Sequence, residues 1–259
     1  MGEAMLSALL ERKLSKPRDI FVSDVSEARR QYLKQKYDVI VTGENKQAAA
    51  KAEVVVLAIK PQNLAPVMAE LKGQIKSSQL VLSIIAGAKI ETLCSGLSHR
   101  RIVRVMPNTP AQIGEGMSVW TATAEVNARQ KKWAGSILGA IGKELYVDDE
   151  DYLDMATAVS GSGPAYLFFF IEALVEAAVS IGLRRDTAET LVLQTMLGSG
   201  HLLQKSGKPP SELRRMVTSP GGTTAEAISE FEKSDFVNLI KKAVNAAYSK
   251  ARRLGSEQT

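Results

Sequence analysis

Near Asp151 the pattern of this chain changes: before it, short apolar runs alternate with helical stretches, and after it only helical patterns remain. Few architectures accommodate that switch. Alternating strands and helices form a parallel sheet covered by helices, and a following run of helices packs as a body of its own. Strands are expected at Ile20–Ser23, Val39–Val41, Glu53–Ile59, Leu80–Ile85 and Ile102–Met106, with helices at Glu27–Lys36, Lys46–Lys51, Asn63–Leu71 and Lys89–Leu97. Met117–Thr121 and Glu144–Val147 add further strands around a helix over Asn127–Ile141. Beyond Asp151, helices are expected at Ala165–Ile181, Thr187–Lys205, Ser211–Val217, Thr224–Phe231 and Asp235–Leu254, broken by Gly182, Gly207-Lys208-Pro209-Pro210 and Pro220-Gly221-Gly222. The fold class is α/β, a doubly wound parallel sheet in 1–150 followed by an all-helical domain in 151–259, each long enough for its own core. The polar tail after Leu254 is expected to fray.

Composition narrows the function classes. At 45% hydrophobic and 24% charged residues the chain reads as soluble and globular. A net charge of +5 favours anionic ligands, but Lys and Arg are scattered without an aromatic-interleaved basic cluster, so no nucleic-acid partner is expected. Cys94 is the single cysteine, and His99 and His201 are the only histidines, far apart; no disulfide and no metal site is expected. Cys94 reads as a small core residue, His99 as loop surface and His201 as a helix-face residue. The first residues carry Glu3 and Glu11 and lack a cleavage pattern, which points to a cytoplasmic protein. The most apolar run, Ala165–Ile181, contains Glu172 and Glu176 and reads as a buried helix rather than a membrane span. Apolar on nearly all sides, it is expected to turn one face to another subunit.

The segment richest in local chemistry is Thr218-Ser219-Pro220-Gly221-Gly222-Thr223-Thr224-Ala225-Glu226. Its glycines permit a tight turn and close approach to a ligand. Thr223 followed three residues later by Glu226 reads as a capping box, so the helix is expected to start near Thr224 and to aim its first N–H groups at the loop. Such an end attracts carboxylate or phosphate. An ordinary Gly-Gly connection between helices is the alternative. Ser160 and Ser162 have no histidine near them in sequence and do not meet the hydrolase elbow pattern.

That segment and four others, Ala58-Ile59-Lys60-Pro61, Ser83-Ile84-Ile85-Ala86-Gly87, Arg104-Val105-Met106-Pro107-Asn108-Thr109-Pro110-Ala111 and Ala156-Thr157-Ala158-Val159-Ser160-Gly161-Ser162-Gly163-Pro164-Ala165-Tyr166, stand in the order and spacing of the pyrroline-5-carboxylate reductases, which the chain resembles over nearly its whole length. The resemblance implies a Rossmann-type domain and reduction of the cyclic imine 1-pyrroline-5-carboxylate to proline with NAD(P)H. It also implies a homodimer of interleaved helical domains, assembled further into a larger homo-oligomer. Thr224 becomes the group that hydrogen-bonds the ring nitrogen; the N–H groups of Gly222, Thr223 and Thr224 take the carboxylate, and Ser219 adds its hydroxyl. Glu150 matches a position near substrate, the alternative being a solvated member of the cluster Asp148-Asp149-Glu150-Asp151.

For the cofactor, the family match assigns Gly2, Ser23, Asn45, Ala58, Ile59, Lys60, Pro61, Ile84, Ile85, Ala86 and Asn108, several of them at the carboxyl ends of strands, where such sheets bind ligands. Lys60 is otherwise an exposed lysine at a strand end. Asp24 lies near the spacing of an acid that binds a ribose 2′-hydroxyl and favours NAD, whereas Ser23 matches a position that accepts a 2′-phosphate, with Arg29 and Arg30 close by. NADP is expected, with NAD possible. The family opens with a strand and a Gly-x-Gly-x-x-Gly turn, whereas this chain starts Met1-Gly2-Glu3. Gly2 therefore matches the last glycine, and the domain is expected to be N-terminally incomplete, leaving Ile20–Ser23 and Val54–Ile59 without a strand between them. A 3-hydroxyacid dehydrogenase would want a lysine in Ala165–Ile181, which holds none. A dinucleotide-fold binding protein without activity is the remaining alternative.

Overall fold

A computed structural model describes residues 1–256, in two compact units. The first comprises Met1–Ser162 and the chain from Ala246 onward; the second is Gly163–Asn245. The division falls after Ser162, roughly three turns of helix later than the boundary expected after residue 150, with the last helix shared.

In the first unit α1 (Gly2–Glu11) leads to β1 (Phe21–Ser23), α2 (Glu27–Tyr37), β2 (Ile40–Thr42), α3 (Asn45–Lys51), β3 (Val54–Leu57), α4 (Leu64–Leu71), β4 (Leu80–Ser83), α5 (Ile90–Leu97) and β5 (Ile102–Met106). Then follow β6 (Gly116–Ala122), α6 (Ala128–Ala140), β7 (Gly142–Tyr146) and α7 (Asp151–Ala156). Strands β3-β4-β5-β6-β7 form one sheet, parallel except for the antiparallel pair β5–β6. The sequence had suggested parallel pairing throughout. The short connection through Thr109–Ile113 lets β6 fold straight back along β5, whereas a parallel partner needs a longer crossover. Strands β1 and β2 pair only with each other, so the ladder is interrupted between β1 and β3. Helix α1 spans the interruption: Met5 and Ala8 pack into the core of the larger sheet, and Leu6 packs with Leu33 and Val39 beside the smaller one.

The central strands β4 and β5 of the larger sheet are buried on both faces, which is why they read as nearly continuous apolar runs. Leu80, Leu82, Val103 and Val105 face α1 and α6, while Val81 and Ile102 face α3, α4 and α5. Half-buried Cys94 packs against the latter layer, and burial pushes its thiol pKa up. His99 is a correction: it is buried rather than on the surface, and its Nε2 lies 3.0 Å from the Gln79 carbonyl. A carbonyl only accepts, so Nε2 carries the hydrogen. Burial lowers the His99 pKa and outweighs the opposing effect of that bond.

The second unit contains α8 (Gly163–Ser180), α9 (Arg185–Ser206), α10 (Pro210–Met216), α11 (Thr223–Lys233) and the first half of α12 (Phe236–Ser256). Helix α12 continues past Leu254 to Ser256; the tail expected to fray otherwise lies outside the described residues. One further expectation is revised. The run Ala165–Ile181 is not buried within the chain: in α8 only Val175 is buried, and Leu167, Phe168 and Phe169 are exposed. The helical run Asp151–Ser180 is long and apolar enough, by length and composition alone, to cross a membrane.

Candidate active site

The cofactor residues assigned from sequence all lie in the first unit. Gly2 is the first residue of α1, and a Cβ placed on it would meet the Ala58 side chain at 3.1 Å, so the helix N-terminus sits close against the carboxyl end of β3. The first N–H groups of a helix have no intrahelical partner. They and the bare Gly2 suit the pyrophosphate of a dinucleotide. Glu3 is drawn away from this end by Arg29, Tyr32, Lys36 and Tyr37, all on α2. Burial opposes its charge, but these hydrogen bonds outweigh it and hold the carboxyl at about 2.

Ser23 ends β1, and Asp24 follows it with Oδ1 accepting the Ser26 N–H at 2.8 Å. Asn45 opens α3 and donates from Nδ2 to Glu70 at 2.7 Å. Lys60 is exposed and leads into the helical turn Pro61–Asn63. Ala86 and Ile84 are half-buried past the end of β4, but Ile85 is buried against the α5 layer, so only its backbone can reach a ligand. Asn108 is doubly anchored. Its Oδ1 accepts the Met117 N–H at 2.8 Å and its Nδ2 donates to the Ser160 carbonyl at 3.1 Å, leaving one N–H of the amide for a ligand.

Glu150 does not follow the solvated reading. Asp148, Asp149 and Asp151 are exposed, but Glu150 Oε1 accepts from Arg104 Nη1 at 2.8 Å and from the Ile90 N–H at the start of α5, also at 2.8 Å. Arg104, 4% exposed, also pairs with buried Asp154 at 3.0 Å. Sequence reasoning passed over this triad. The signal was an arginine inside the apolar strand Ile102-Val103-Arg104-Val105-Met106, at a parity that places it on the α5 side of the sheet with Ile102. Also unread was the π-helical segment Thr157–Gly161, closed by Ser162 N–H donating to Thr157 O at 2.8 Å. Such wide turns often occur at functional sites, and this one supplies the carbonyl that holds Asn108.

The substrate residues assigned from sequence lie in the second unit, with the exception of Glu150. The Gly222 N–H donates to Ser219 O at 3.0 Å, closing a turn in which Gly221 has φ +69°. A Cβ on Gly222 would lie 3.1 Å from that same oxygen. Gly222 is extended and caps α11, which starts at Thr223 and forms no side-chain cap. The expected capping box is therefore absent. The extended cap conformation falls on Gly222, so Thr223 is already helical and Glu226 stands four residues from the cap rather than three. The Gly222 N–H is used by the turn, while those of Thr223 and Thr224 have no partner among the described residues. Thr224 is half-buried and Ser219 exposed.

The comparisons with known proteins agree along the chain. The family model described as pyrroline-5-carboxylate reductase dimerisation matches residues 150–254, and the model described as NADP oxidoreductase coenzyme F420-dependent matches residues 1–87. A pyrroline-5-carboxylate reductase of Synechocystis is 41% identical over 257 residues, covering 99% of this chain and 96% of that protein. That of Pseudomonas aeruginosa is 42% identical over 92% of this chain and 88% of that protein. Among solved structures, the enzyme from Coxiella burnetii superimposes with a TM-score of 0.91 at 38% identity, covering 98% of this chain and 94% of that one. The Plasmodium falciparum pyrroline carboxylate reductase, with NADP bound, gives 0.89 at 34%, covering 98% of this chain and 94% of that one. A dinucleotide-type sheet with its helix N-terminus at a strand end, a helical unit opening on unpaired N–H groups, and these identities over nearly the full length lead to one assignment: the chain belongs to the pyrroline-5-carboxylate reductase family.

Proposed function

We propose that this chain reduces 1-pyrroline-5-carboxylate to L-proline with NADPH as the preferred donor, the last step of proline biosynthesis, NADH being the alternative donor. The observation that carries this reading is the start of α11, where the N–H groups of Thr223 and Thr224 lack partners beside the Thr224 hydroxyl. The two N–H groups, at the positive end of an 11-residue helix, hold the substrate carboxylate, and exposed Ser219 adds its hydroxyl. Thr224 hydrogen-bonds the ring nitrogen. An alkyl imine is basic enough to carry a proton near neutrality, so the residues orient and stabilise charge rather than act as strong acids. When bound, the nicotinamide supplies the hydride. The Gly2 end of α1 holds the pyrophosphate, Ser23 marks the ribose end, and Asn108 offers its remaining N–H to the cofactor. Glu150, assigned to the substrate by the family match, is fixed by Arg104.

The dimerisation model matched over 150–254 supports homo-oligomerisation. We assign the exposed apolar faces of α8 and α9 to a homodimer built further into a larger assembly, in the cytoplasm. The test is incubation of the purified chain with NADPH and 1-pyrroline-5-carboxylate, reading NADPH absorbance and proline by mass spectrometry. Proline formed in step with NADPH loss is expected; bound NADPH with no proline would overturn the assignment.

A further inference from the structure

Resting on the cofactor reading above, we propose that Arg30 is the residue that selects NADP over NAD, by taking the 2′-phosphate in the fork of its guanidinium. Two adjacent arginines follow β1, and the structure separates them. Arg29 pairs with Glu3, which also holds Lys36, in the cluster that ties α1 to α2, so its guanidinium is committed there. Arg30 has no carboxylate partner among the described residues. Its Nη1 donates to the Asp24 carbonyl at 2.6 Å and to the Val25 carbonyl at 3.2 Å, which fixes the guanidinium against the turn leaving β1. Its Nη2 and Nε make no hydrogen bond among the described residues.

On the other side stands Gly43, just past the end of β2: a Cβ there would lie 3.5 Å from Arg30 Nη1 and 3.8 Å from Nη2. The guanidinium thus lies at the carboxyl ends of β1 and β2, beside Ser23, with two nitrogens uncommitted. Asp24 does not neutralise it, because Asp24 Oδ1 is turned to the Ser26 N–H, and exposed Glu27, nearer in sequence, forms no ion pair with it among the described residues. A half-buried arginine held only through carbonyl oxygens keeps its full positive charge and a preset orientation, which suits an oxyanion accepting two parallel N–H bonds. Glu44, exposed after Gly43, is the one acid beyond that loop, and nothing joins it to Arg30. Asp24 retains a free oxygen for a ribose hydroxyl, which is the competing NAD readout.

The experiment uses the two half-ligands that differ only by the phosphate in question, adenosine 2′,5′-bisphosphate and 5′-AMP, titrated calorimetrically into the full chain and its variants. The unsubstituted chain is expected to bind the bisphosphate more tightly. Arg30→Gln should weaken the bisphosphate by about 10- to 100-fold and leave 5′-AMP within about threefold, since a charge-assisted bond is lost only to the 2′-phosphate. Retained 5′-AMP binding also reports that the variant is folded. Arg30→Lys should fall between the two, because it restores the charge without the fork, and Arg29→Gln should leave the ratio of the two affinities unchanged. An unchanged ratio in Arg30→Gln, whether both ligands weaken equally or neither does, would overturn the proposal. Binding of neither ligand by the unsubstituted chain would instead overturn the cofactor reading beneath it.

Discussion

At Thr224 a side-chain hydroxyl stands beside the unpaired backbone N–H groups of a helix start, so removing the hydroxyl alone separates chemistry from carboxylate binding. Thr224→Ala is expected to lower kcat/KM by about 10- to 1000-fold, as for a donor lost at a reacting centre, while Thr224→Ser keeps most of the activity. Equal steady-state kinetics for Ala and the parent would remove Thr224 from the reaction. Arg104 has the opposite character, a buried cation joining Glu150 and Asp154. Arg104→Met leaves Asp154 buried and unpaired and should destabilise the chain by about 3–5 kcal/mol in urea unfolding. Little change would mean that the two acids find water or a proton at small cost.

Among the glycines, the one with least room for a side chain is Gly142, where β6 and β7 begin. Gly142 has φ +145°, and a Cβ there would lie 2.1 Å from the Gly116 carbonyl, so Gly142→Ala must push the two strands apart. We expect loss of soluble protein or a fall in Tm of well over about 5 °C, more than an exposed substitution produces. The loop around His99 is tied to the one before β4 through Gln79, whose amide also reaches the Ala49 and Ala52 carbonyls at the end of α3. The folded-state pKa of His99 lies below its ordinary value of 6.5, so the unfolded chain takes up the proton first. The stability this group contributes is complete above pH 6.5 and is lost as the pH falls toward its folded-state pKa. The Tm advantage of the parent over His99→Gln should accordingly shrink between about pH 7 and pH 5. A constant difference across that range would show that His99 is as easily protonated folded as unfolded.

For the whole molecule the decisive feature is apolar surface that a single chain leaves uncovered. Phe169 is 74% exposed and Leu193 53%, and Leu197 and Leu202 extend the stripe along α9. Patches of this kind on a soluble chain mark an interface. Sedimentation at micromolar concentration should show no monomer, and Phe169→Glu with Leu193→Glu should dissociate the assembly. A well-folded monomer of the parent chain would assign these residues to some other contact.

Legible in the residues alone were the switch at Asp151 from strand-and-helix alternation to helices, the order of the strands, and the family, because periodicity and turn residues are local signals and the five motif segments lie at fixed spacing. The Gly221-Gly222 turn before a ligand-ready helix was also visible, since a left-handed residue and a helix start are short-range events. What required the tertiary structure was every feature made by distant partners. Which residue caps α11 depended on the turn hydrogen bond from Gly222 to Ser219, so the box drawn from Thr223 and Glu226 did not form. Glu150 differed from its acidic neighbours only because Arg104 on β5 and the Ile90 N–H converge on it. His99 found its carbonyl partner twenty positions away in Gln79, and Arg29 and Arg30, indistinguishable in sequence, parted because Glu3 on α1 reaches only one of them. A charge or a hydrogen bond is assigned by whichever groups the fold brings within about 3 Å, and that proximity is written in no single stretch of chain.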